Sequence, residues 1–282
     1  MLVVDGLTKR YPGFRLEDVS FEIEPGYITG FIGVNGAGKT TTLKSILNIV
    51  RPDAGTVTFE GRDIYADEAG AKQLIGAALG PLDVYPKHRV RTVVDVYRRF
   101  YDHWDGRLFA HYLERFGIGD AKKISELSTG MRVKLGVAMA LSHGARLILL
   151  DEPTSGLDPV ARDQLLGVLQ EVVEDGDRAV LFSTHITSDL DKIADLIVFI
   201  RDGHVIADDT KDDPIDGHRL VGGSREELTD DLRGRLIGHR DHAFGFSGLV
   251  RTADLAEVSP HVQAERPNLE DLMVFYDLEG AR

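Results

Sequence analysis

The 282-residue sequence contains no cysteine, and this absence excludes several kinds of site. Without thiols there can be no disulfide, no thiolate zinc site and no cysteine nucleophile. Long apolar runs are also missing, since no stretch approaches the roughly 18 consecutive apolar residues of a membrane-spanning helix. The first residues, "MLVVDGLTKRY", lack the pattern of a secretory signal peptide. We therefore expect no segment of this sequence to span a bilayer.

Basic residues are also few relative to acidic ones. The chain has 33 Lys and Arg against 46 Asp and Glu, a formal net charge of −13. Such a balance disfavours nonspecific binding to nucleic acid, whose phosphates attract a basic face. Part of the acidic excess lies in "DGHVIADDTKDDPIDG", which predicts a solvated loop. Apolar residues make up 43% of the sequence, which is enough for a full core in a chain of this length.

Strand-like and helix-like patterns alternate along most of the chain. The runs "RLILLDEP" and "AVLFSTH" predict buried strands, with a helix between them. This alternation predicts an α/β fold with a largely parallel, doubly wound sheet. The run "LIVFIRDGHVIAD" predicts a hairpin that turns at Asp202 and Gly203. In the helical region, one apolar helix face is predicted, made by Val93, Val96, Tyr97, Phe100, Tyr101 and Trp104.

The acidic run around Asp212 is the predicted domain boundary. We expect a first domain at 1–213, with a helical subdomain at about 81–142, and a C-terminal accessory domain at 214–282. The tail "NLEDLMVFYDL" predicts a closing helix with Asn268 as its N-cap. His239 and His242 in "HRDH" have no third ligand nearby, so we expect them in a surface loop rather than a metal site.

The stretch "GVNGAGKT" fits the pattern G-x-x-x-x-G-K-[ST] between a predicted strand and a predicted helix. Small side chains let backbone amides approach an anion, and the N-terminus of a helix favours negative charge. Lys39 can reach the β- and γ-phosphates of a nucleotide, and the Thr40 hydroxyl can ligate Mg²⁺. The predicted nucleotide-binding residues of this segment are Gly33, Asn35, Gly36, Ala37, Gly38, Lys39, Thr40 and Thr41.

Two acids follow the predicted strand "LILL". Ligands of open α/β sheets bind at the carboxyl ends of the strands. There Asp151 can hold Mg²⁺, commonly through water, and Glu152 can polarise an attacking water. Upstream, "LSTGM" precedes a helix, and Ser128 and Gly130 could offer a hydroxyl and an amide to an anion. Taken alone, this pentapeptide is most simply a helix N-cap.

The order of "GVNGAGKTTT", "LSTGM", "LILLDEPTSGLDP" and "STH" resembles the ATP-binding-cassette family, specifically the nucleotide-binding subunits of ABC transporters. The resemblance covers about residues 1–210. It implies a P-loop NTPase fold of the ABC type, with a RecA-like core, an antiparallel β subdomain and a helical subdomain; we expect a small α+β extension at the C-terminus. Segments around "YRRFYDHW" and the tail look like the narrower group of bacterial ABC-2-type exporter ATPases.

Roles for further residues come from this resemblance. It implies ATP and Mg²⁺ as cofactors and a head-to-tail dimer with two ATPs at its interface. Each ATP would face the other subunit's Ser128 and Gly130, and Tyr11 would stack on adenine. Asp158 would lie in the loop that links the two sites. His185 would contact the γ-phosphate and help orient the attacking water, so that Glu152, His185 and Lys39 are the expected catalytic residues.

One position departs from the family pattern. After the middle strand the family usually has a glutamine, or sometimes an acid, that reaches Mg²⁺ and the attacking water. Gly80 stands at this position in "KQLIGAALGPLDVYP". Asp83 could substitute, or Gln73 if the register differs. We expect instead that Thr40 and Asp151 keep the metal and that water fills the gap.

The predicted function is that of an energy-coupling ATPase that drives transport through a separate membrane-spanning permease, with export as the predicted direction. The second subunit would be another copy of this chain or a homologous ATPase, and the complex would lie at the inner face of the cell membrane. The permease contact is expected between Gly80 and Trp104. The alternative is a nucleotide-dependent regulatory or sensor protein with weak hydrolysis, which Gly80 favours and which Glu152 and His185 disfavour. A DNA- or ribosome-directed ATPase is disfavoured by the acidic balance and the single cassette.

Overall fold

The computed structural model of the chain describes residues 1–257 and 262–280. The chain divides into two compact units, Met1–Ile206 and Ala207–Arg282. The domain limits predicted at 213 and 214 stay a prediction, and residues 258–261 and 281–282 of the predicted accessory domain lie outside the described residues.

Strands are found in both units. In chain order they are β1 (Leu2–Tyr11), β2 (Phe14–Ile23), β3 (Ile28–Ile32), β4 (Ala54–Phe59), β5 (Arg62–Asp63), β6 (Ile75–Leu79), β7 (Leu147–Asp151), β8 (Ala179–Thr184), β9 (Leu196–Arg201), β10 (His204–Thr210), β11 (His218–Gly223), β12 (Ile237–His242), β13 (Gly245–Arg251) and β14 (Gln263–Glu265).

The α-helices are α1 (Lys39–Ile46), α2 (Glu68–Gln73), α3 (Val90–Tyr97), α4 (Gly106–Arg115), α5 (Thr129–Leu141), α6 (Pro159–Val173), α7 (Thr187–Ile193), α8 (Asp212–Asp216), α9 (Asp230–Arg235) and α10 (Leu269–Gly280). Short 3₁₀ turns lie at Arg98–Phe100, Ile124–Glu126 and Thr252–Glu257. Among the helices that the structure describes, none combines the length and apolar composition needed for a membrane span.

The central sheet has the strand order β10-β9-β3-β8-β7-β6. Strands β9, β3, β8, β7 and β6 run parallel, each paired with its neighbour. Strands β3, β7 and β8 are buried along their whole length, as expected when helices cover both faces of a parallel sheet. The predicted hairpin is confirmed, since β9 turns into β10 at Asp202 and Gly203, both with positive φ. The α/β prediction is therefore confirmed.

A second, antiparallel sheet covers α1. Its strand order is β2-β1-β4-β5. Buried side chains of this sheet, such as Leu7 and Val57, share one apolar core with Leu43 and Ile46 of α1 and with Phe31 of the central sheet. Helix α1 is thereby held between two layers, which fixes the position of its N-terminus.

The prediction of one apolar helix face after residue 90 is wrong. Helix α3 ends at Tyr97, a 3₁₀ turn follows, and Tyr101 is extended, so helical spacing no longer applies beyond this point. Val96 and Phe100 are consequently exposed, by 48% and 69%. Tyr97 and Tyr101 instead turn towards His143, after the end of α5.

His143 is a buried histidine in an aromatic cluster. Its ring stacks on that of Tyr101 with centroids 3.9 Å apart, and Tyr97 donates a hydrogen bond to Tyr101 at 2.9 Å. The two imidazole nitrogens lie 3.2 Å from the Met139 carbonyl oxygen and 3.3 Å from that of Ile75. Burial lowers the pKa of His143, although both carbonyl contacts act in the opposite direction.

The acidic run from residue 202 is not the predicted loop. It contains β10 and α8, because the chain continues after the turn at Asp202 and Gly203 as β10, the strand next to β9 in the sheet. Several of its acids are paired, since Arg266 donates to Asp212 at 3.0 Å and to Asp216 at 2.8 Å. Exposed pairs of this kind contribute little stability, so they mainly reduce local repulsion.

The second unit is built on an antiparallel sheet with the order β12-β13-β11-β14. Helix α10 packs on β12 and β13. The predicted N-cap is confirmed, since Asn268 Oδ1 accepts a hydrogen bond from the Asp271 amide at 2.9 Å. In return, the Asn268 amide donates to the Asp271 carboxylate at 3.0 Å. His239 and His242 lie in β12 rather than in a loop. Within the described residues, no group of three or more His, Asp or Glu side chains is suited to hold a metal.

The burial of His143 predicts a pH effect on stability. Its lowered pKa means that the unfolded chain binds a proton more readily below the ordinary histidine pKa of about 6.5, so stability falls as pH falls through that region. One such group changes the free energy of unfolding by at most about 1.4 kcal/mol per pH unit. We expect His143→Gln to lose less stability than the wild type between pH 7.5 and 5.5, measured by urea unfolding with the fluorescence of the single tryptophan, Trp104.

Exposed His103 gives the matched control. His103→Gln should keep the wild-type pH dependence. An unchanged pH dependence in His143→Gln would contradict the assignment of this effect to His143.

Candidate functional site

The glycine-rich stretch connects β3 to α1. Gly38 has φ of +120°, a conformation that favours glycine, and it lets α1 begin at Lys39 with no side chain capping its first amides. Lys39 is buried and its Nζ donates to the carbonyl oxygens of Gly33 at 2.6 Å and Val34 at 3.2 Å. Unpaired amides at the start of a helix, next to a buried ammonium group, form a site for an anion.

A cavity of about 290 Å³ opens in front of this loop. We call it the phosphate cavity, and its lining residues are Phe14, Asn35, Gly36, Gly38, Lys39, Thr40, Thr41 and Glu152. Of the remaining predicted loop residues, Gly33 accepts the bond from Lys39, and Ala37 is buried behind the loop. The predicted phosphate loop and Glu152, which follows β7, thus line the same cavity.

Asp151 ends β7 beside Thr40. Its Oδ2 accepts a hydrogen bond from the Thr40 hydroxyl at 2.7 Å, and its Oδ1 accepts one from the Ser183 hydroxyl at 2.6 Å. The parallel register places Asp151 opposite Ser183 of β8. A carboxylate and a hydroxyl are hard oxygen donors, which Mg²⁺ prefers, and Mg²⁺ keeps several waters as its other ligands. The donor set at Thr40 and Asp151 therefore fits this ion.

Glu152 follows with φ of +49°, a conformation that L-residues rarely adopt. One carboxylate oxygen lies 2.8 Å from His185 Nδ1, and the other lies 3.4 Å from Lys39 Nζ. Backbone outliers of this kind cluster at functional sites. An ionisable acid held between a histidine and a lysine at the wall of an anion cavity can act as a base towards a bound water.

Sequence reasoning missed two residues of this site. Ser183 contacts both acids, and its signal was a polar residue directly after the apolar run "AVLF" in β8. Phe14 lines the phosphate cavity, and it pairs with Tyr11 across the turn between β1 and β2. Among the described residues, those that line the phosphate cavity do not include Tyr11. Tyr11 instead borders a recess of about 370 Å³ that Phe14 also lines.

The register at Gly80 is the predicted one. Gly80 directly follows β6, whose last residue pairs with Asp151, and its φ of +96° favours glycine at this position. Gln73 precedes β6 at the opposite edge of the sheet, so it cannot substitute. Its side chain bonds the backbone at Phe100 and Asp102 instead.

Asp83, the other candidate for the missing glutamine, is engaged elsewhere. Its carboxylate lies 2.6 Å from Arg132 in the first turns of α5. The Leu82 amide also donates to the Arg132 carbonyl at 3.4 Å. These contacts connect the segment after Gly80 with α5.

Ser128, Gly130 and Asp158 occupy two neighbouring helix starts. Ser128 caps α5 by accepting from the Met131 amide at 3.2 Å. Asp158 caps α6 by accepting from the Val160 and Ala161 amides, both at 3.0 Å, and these bonds, foremost that from Ala161, lower its pKa. Gly130 lies against Leu157, next to Asp158. Within the described chain, none of the three lines the phosphate cavity.

Comparison with known proteins agrees with this geometry. A family model described as "ABC transporter" matches residues 16–155. The ABC transporter ATP-binding protein YtrB of Bacillus subtilis (strain 168) is 31% identical over 288 residues, covering 97% of this chain and 97% of that protein. The Nod factor export ATP-binding protein I of Burkholderia pseudomallei (strain 1710b) is 34% identical, covering 73% of this chain and 66% of that protein.

The fold gives the same result. A solved structure of an ATP-binding subunit of an ABC transporter superposes with a TM-score of 0.70 and 27% identity, covering 76% of this chain and 91% of the other. Family, fold and site geometry agree, and the chain belongs to the ABC transporter family as an ATP-binding subunit with ATPase activity.

Proposed function

We propose that this subunit hydrolyses Mg²⁺-bound ATP at the phosphate cavity, with a second copy completing each site, and that the cycle drives export through a separate permease. One observation carries the proposal. Three neighbouring strand ends bring together Lys39, Thr40, Asp151, Glu152 and His185. Thr40 contacts Asp151, and Glu152 contacts both Lys39 and His185, while Lys39, Thr40 and Glu152 line the cavity.

Nucleotide binding is assigned to the loop after β3. The uncapped amides of α1 and the Lys39 ammonium group would hold the phosphates. Thr40 and Asp151 would hold Mg²⁺, which neutralises charge on the phosphate oxygens. The recess beside Tyr11 and Phe14 offers an aromatic surface for the adenine, and it shares Phe14 with the phosphate cavity.

Water activation is assigned to Glu152. Its carboxylate would take a proton from a water as the water oxygen attacks the γ-phosphorus, and ADP would leave with the bridging oxygen. The hydrogen bond at Nδ1 of His185 fixes its ring against Glu152 and leaves Nε2 available for the γ-phosphate. The presence of both groups favours hydrolysis over a purely sensory role.

A second copy is proposed because Ser128 and Gly130 stand away from their own phosphate cavity. Their helix start carries amides and a hydroxyl suited to an anion. A head-to-tail pair would bring these groups of each copy against the ATP of the other. Asp158, close to Gly130 through Leu157, would lie in the loop between the two sites.

The proposed partner is a membrane-spanning permease, with this subunit at its cytoplasmic side. Exposed apolar side chains in the predicted contact region support this assignment, namely Val84, Tyr85, Val96 and Phe100. Export as the direction is supported by the printed name of the Nod factor export relative. The bacterial ABC-2-type subgroup is part of the same proposal.

Glu152→Gln is expected to lower the ATP hydrolysis rate by about 10²–10⁴-fold, because an amide cannot accept the proton of the water. Phosphate release at saturating Mg-ATP measures the effect. Nucleotide binding should persist, since the loop and Lys39 are intact. Glu114→Gln, an exposed position in α4, is the matched control and should keep the wild-type rate. A Glu152→Gln rate within threefold of wild type would reject Glu152 as the base.

Asp83→Ala is expected to leave the hydrolysis rate within about twofold of wild type, because the Asp83 carboxylate is exposed and is paired with Arg132 of α5 rather than with the residues of the phosphate cavity. Asp151→Asn serves as the positive control, since it removes a charged metal ligand and should raise the Mg²⁺ concentration needed for activity. Loss of hydrolysis in Asp83→Ala would show instead that Asp83 replaces the missing glutamine.

A further inference from the structure

We propose that Ser183 is a positioning residue of the ATPase site: its hydroxyl orients the Asp151 carboxylate for Mg²⁺ and holds the backbone of Glu152. This inference rests on the proposed function of the two acids. Ser183 of β8 would then contribute to hydrolysis together with His185, which directly follows the same strand.

Ser183 is a polar residue in a fully buried strand. Residues 179–182 are apolar, and Ser183 itself has no exposed surface. A buried hydroxyl needs hydrogen-bond partners, and here the two partners of Ser183 Oγ are the neighbouring acids. It donates to Asp151 Oδ1 at 2.6 Å and accepts from the Glu152 amide at 3.1 Å.

The first bond fixes the orientation of Asp151. One hydroxyl bonds each oxygen of this carboxylate, Ser183 at Oδ1 and Thr40 at Oδ2. Rotation of the carboxylate would break both bonds together. If Thr40 and Asp151 held a metal, the bond from Ser183 would still orient Asp151 from the protein side, as outer-shell partners do for metal ligands.

The second bond acts on the backbone of Glu152. The Glu152 amide donates to both Oγ and the carbonyl oxygen of Ser183, each at 3.1 Å. Glu152 adopts the left-handed conformation, which persists only when its surroundings hold it. Ser183 therefore fixes the turn from which the Glu152 carboxylate extends to His185 at 2.8 Å.

The alternative role for this hydroxyl is a purely structural one in the packing of the sheet. Ser142 provides the comparison, because it is equally buried and its hydroxyl donates to a helix carbonyl, that of Ala138, at 2.6 Å. Removal of either hydroxyl costs folding stability. Only removal of the Ser183 hydroxyl should change the response of the protein to Mg²⁺.

The test compares full-length Ser183→Ala with wild type and with Ser142→Ala. Binding of a fluorescent ATP analogue is measured in EDTA and then over a Mg²⁺ titration, and phosphate release is measured in parallel. We expect Ser183→Ala to raise the half-maximal Mg²⁺ concentration about tenfold or more, as for other outer-shell partners of metal ligands. The affinity of Ser183→Ala for the analogue in EDTA should stay within twofold of the wild-type value. Ser142→Ala should match the wild type both in this affinity and in the half-maximal Mg²⁺ concentration.

Ser183→Thr and Ser183→Val form a second pair of nearly equal shape, and they decide the matter if Ser183→Ala does not fold. Threonine should restore the Mg²⁺ response and valine should not. The inference is overturned if Ser183→Ala keeps the wild-type Mg²⁺ response, if the two β-branched variants behave alike, or if binding in EDTA falls in the same proportion. A wild type without Mg²⁺-dependent binding and hydrolysis would instead overturn the proposed function, and this inference with it.

Discussion

The parallel pairing of β3, β8, β7 and β6 is the constraint on which the site depends. These strands are neighbours in the central sheet, and their carboxyl ends meet at one edge. The phosphate loop follows β3, His185 follows β8, the two acids end β7, and Gly80 follows β6. Residues that are more than 100 positions apart thereby come within hydrogen-bond distance, as between Thr40 and Asp151.

This arrangement places several polar groups where water is scarce, and each needs a partner. Asp151 is bonded at both oxygens, and Lys39 is bonded to two loop carbonyls. The left-handed backbone of Glu152 costs on the order of 1–3 kcal/mol and is held by the bonds of its amide to Ser183. The surrounding apolar strands stabilise the edge well enough to maintain this strain.

Local signals in the sequence predicted much of this fold. The loop "GVNGAGKT" and the strand "LILLDEP" each carry their chemistry within a few residues, so the α/β core, the hairpin at Asp202 and the cap at Asn268 could be predicted. Features that depend on tertiary contacts could not. The contact of Ser183 with Asp151 depends on the register of β7 and β8. Helix α3 ends at Tyr97, after which Tyr101 packs on the distant His143. The acidic run likewise forms a strand and a helix because β9 and Arg266 lie beside it.

The central claim is that one chain supplies only part of each nucleotide site and that a second copy completes it. The most direct test is the mass of Glu152→Gln in solution, by light scattering, with Mg-ATP and with EDTA. The account predicts a dimer that requires Mg-ATP and that is lost when Ser128 is also replaced, in Glu152→Gln/Ser128→Arg. A Glu152→Gln protein that binds Mg-ATP and remains monomeric at every concentration would contradict it.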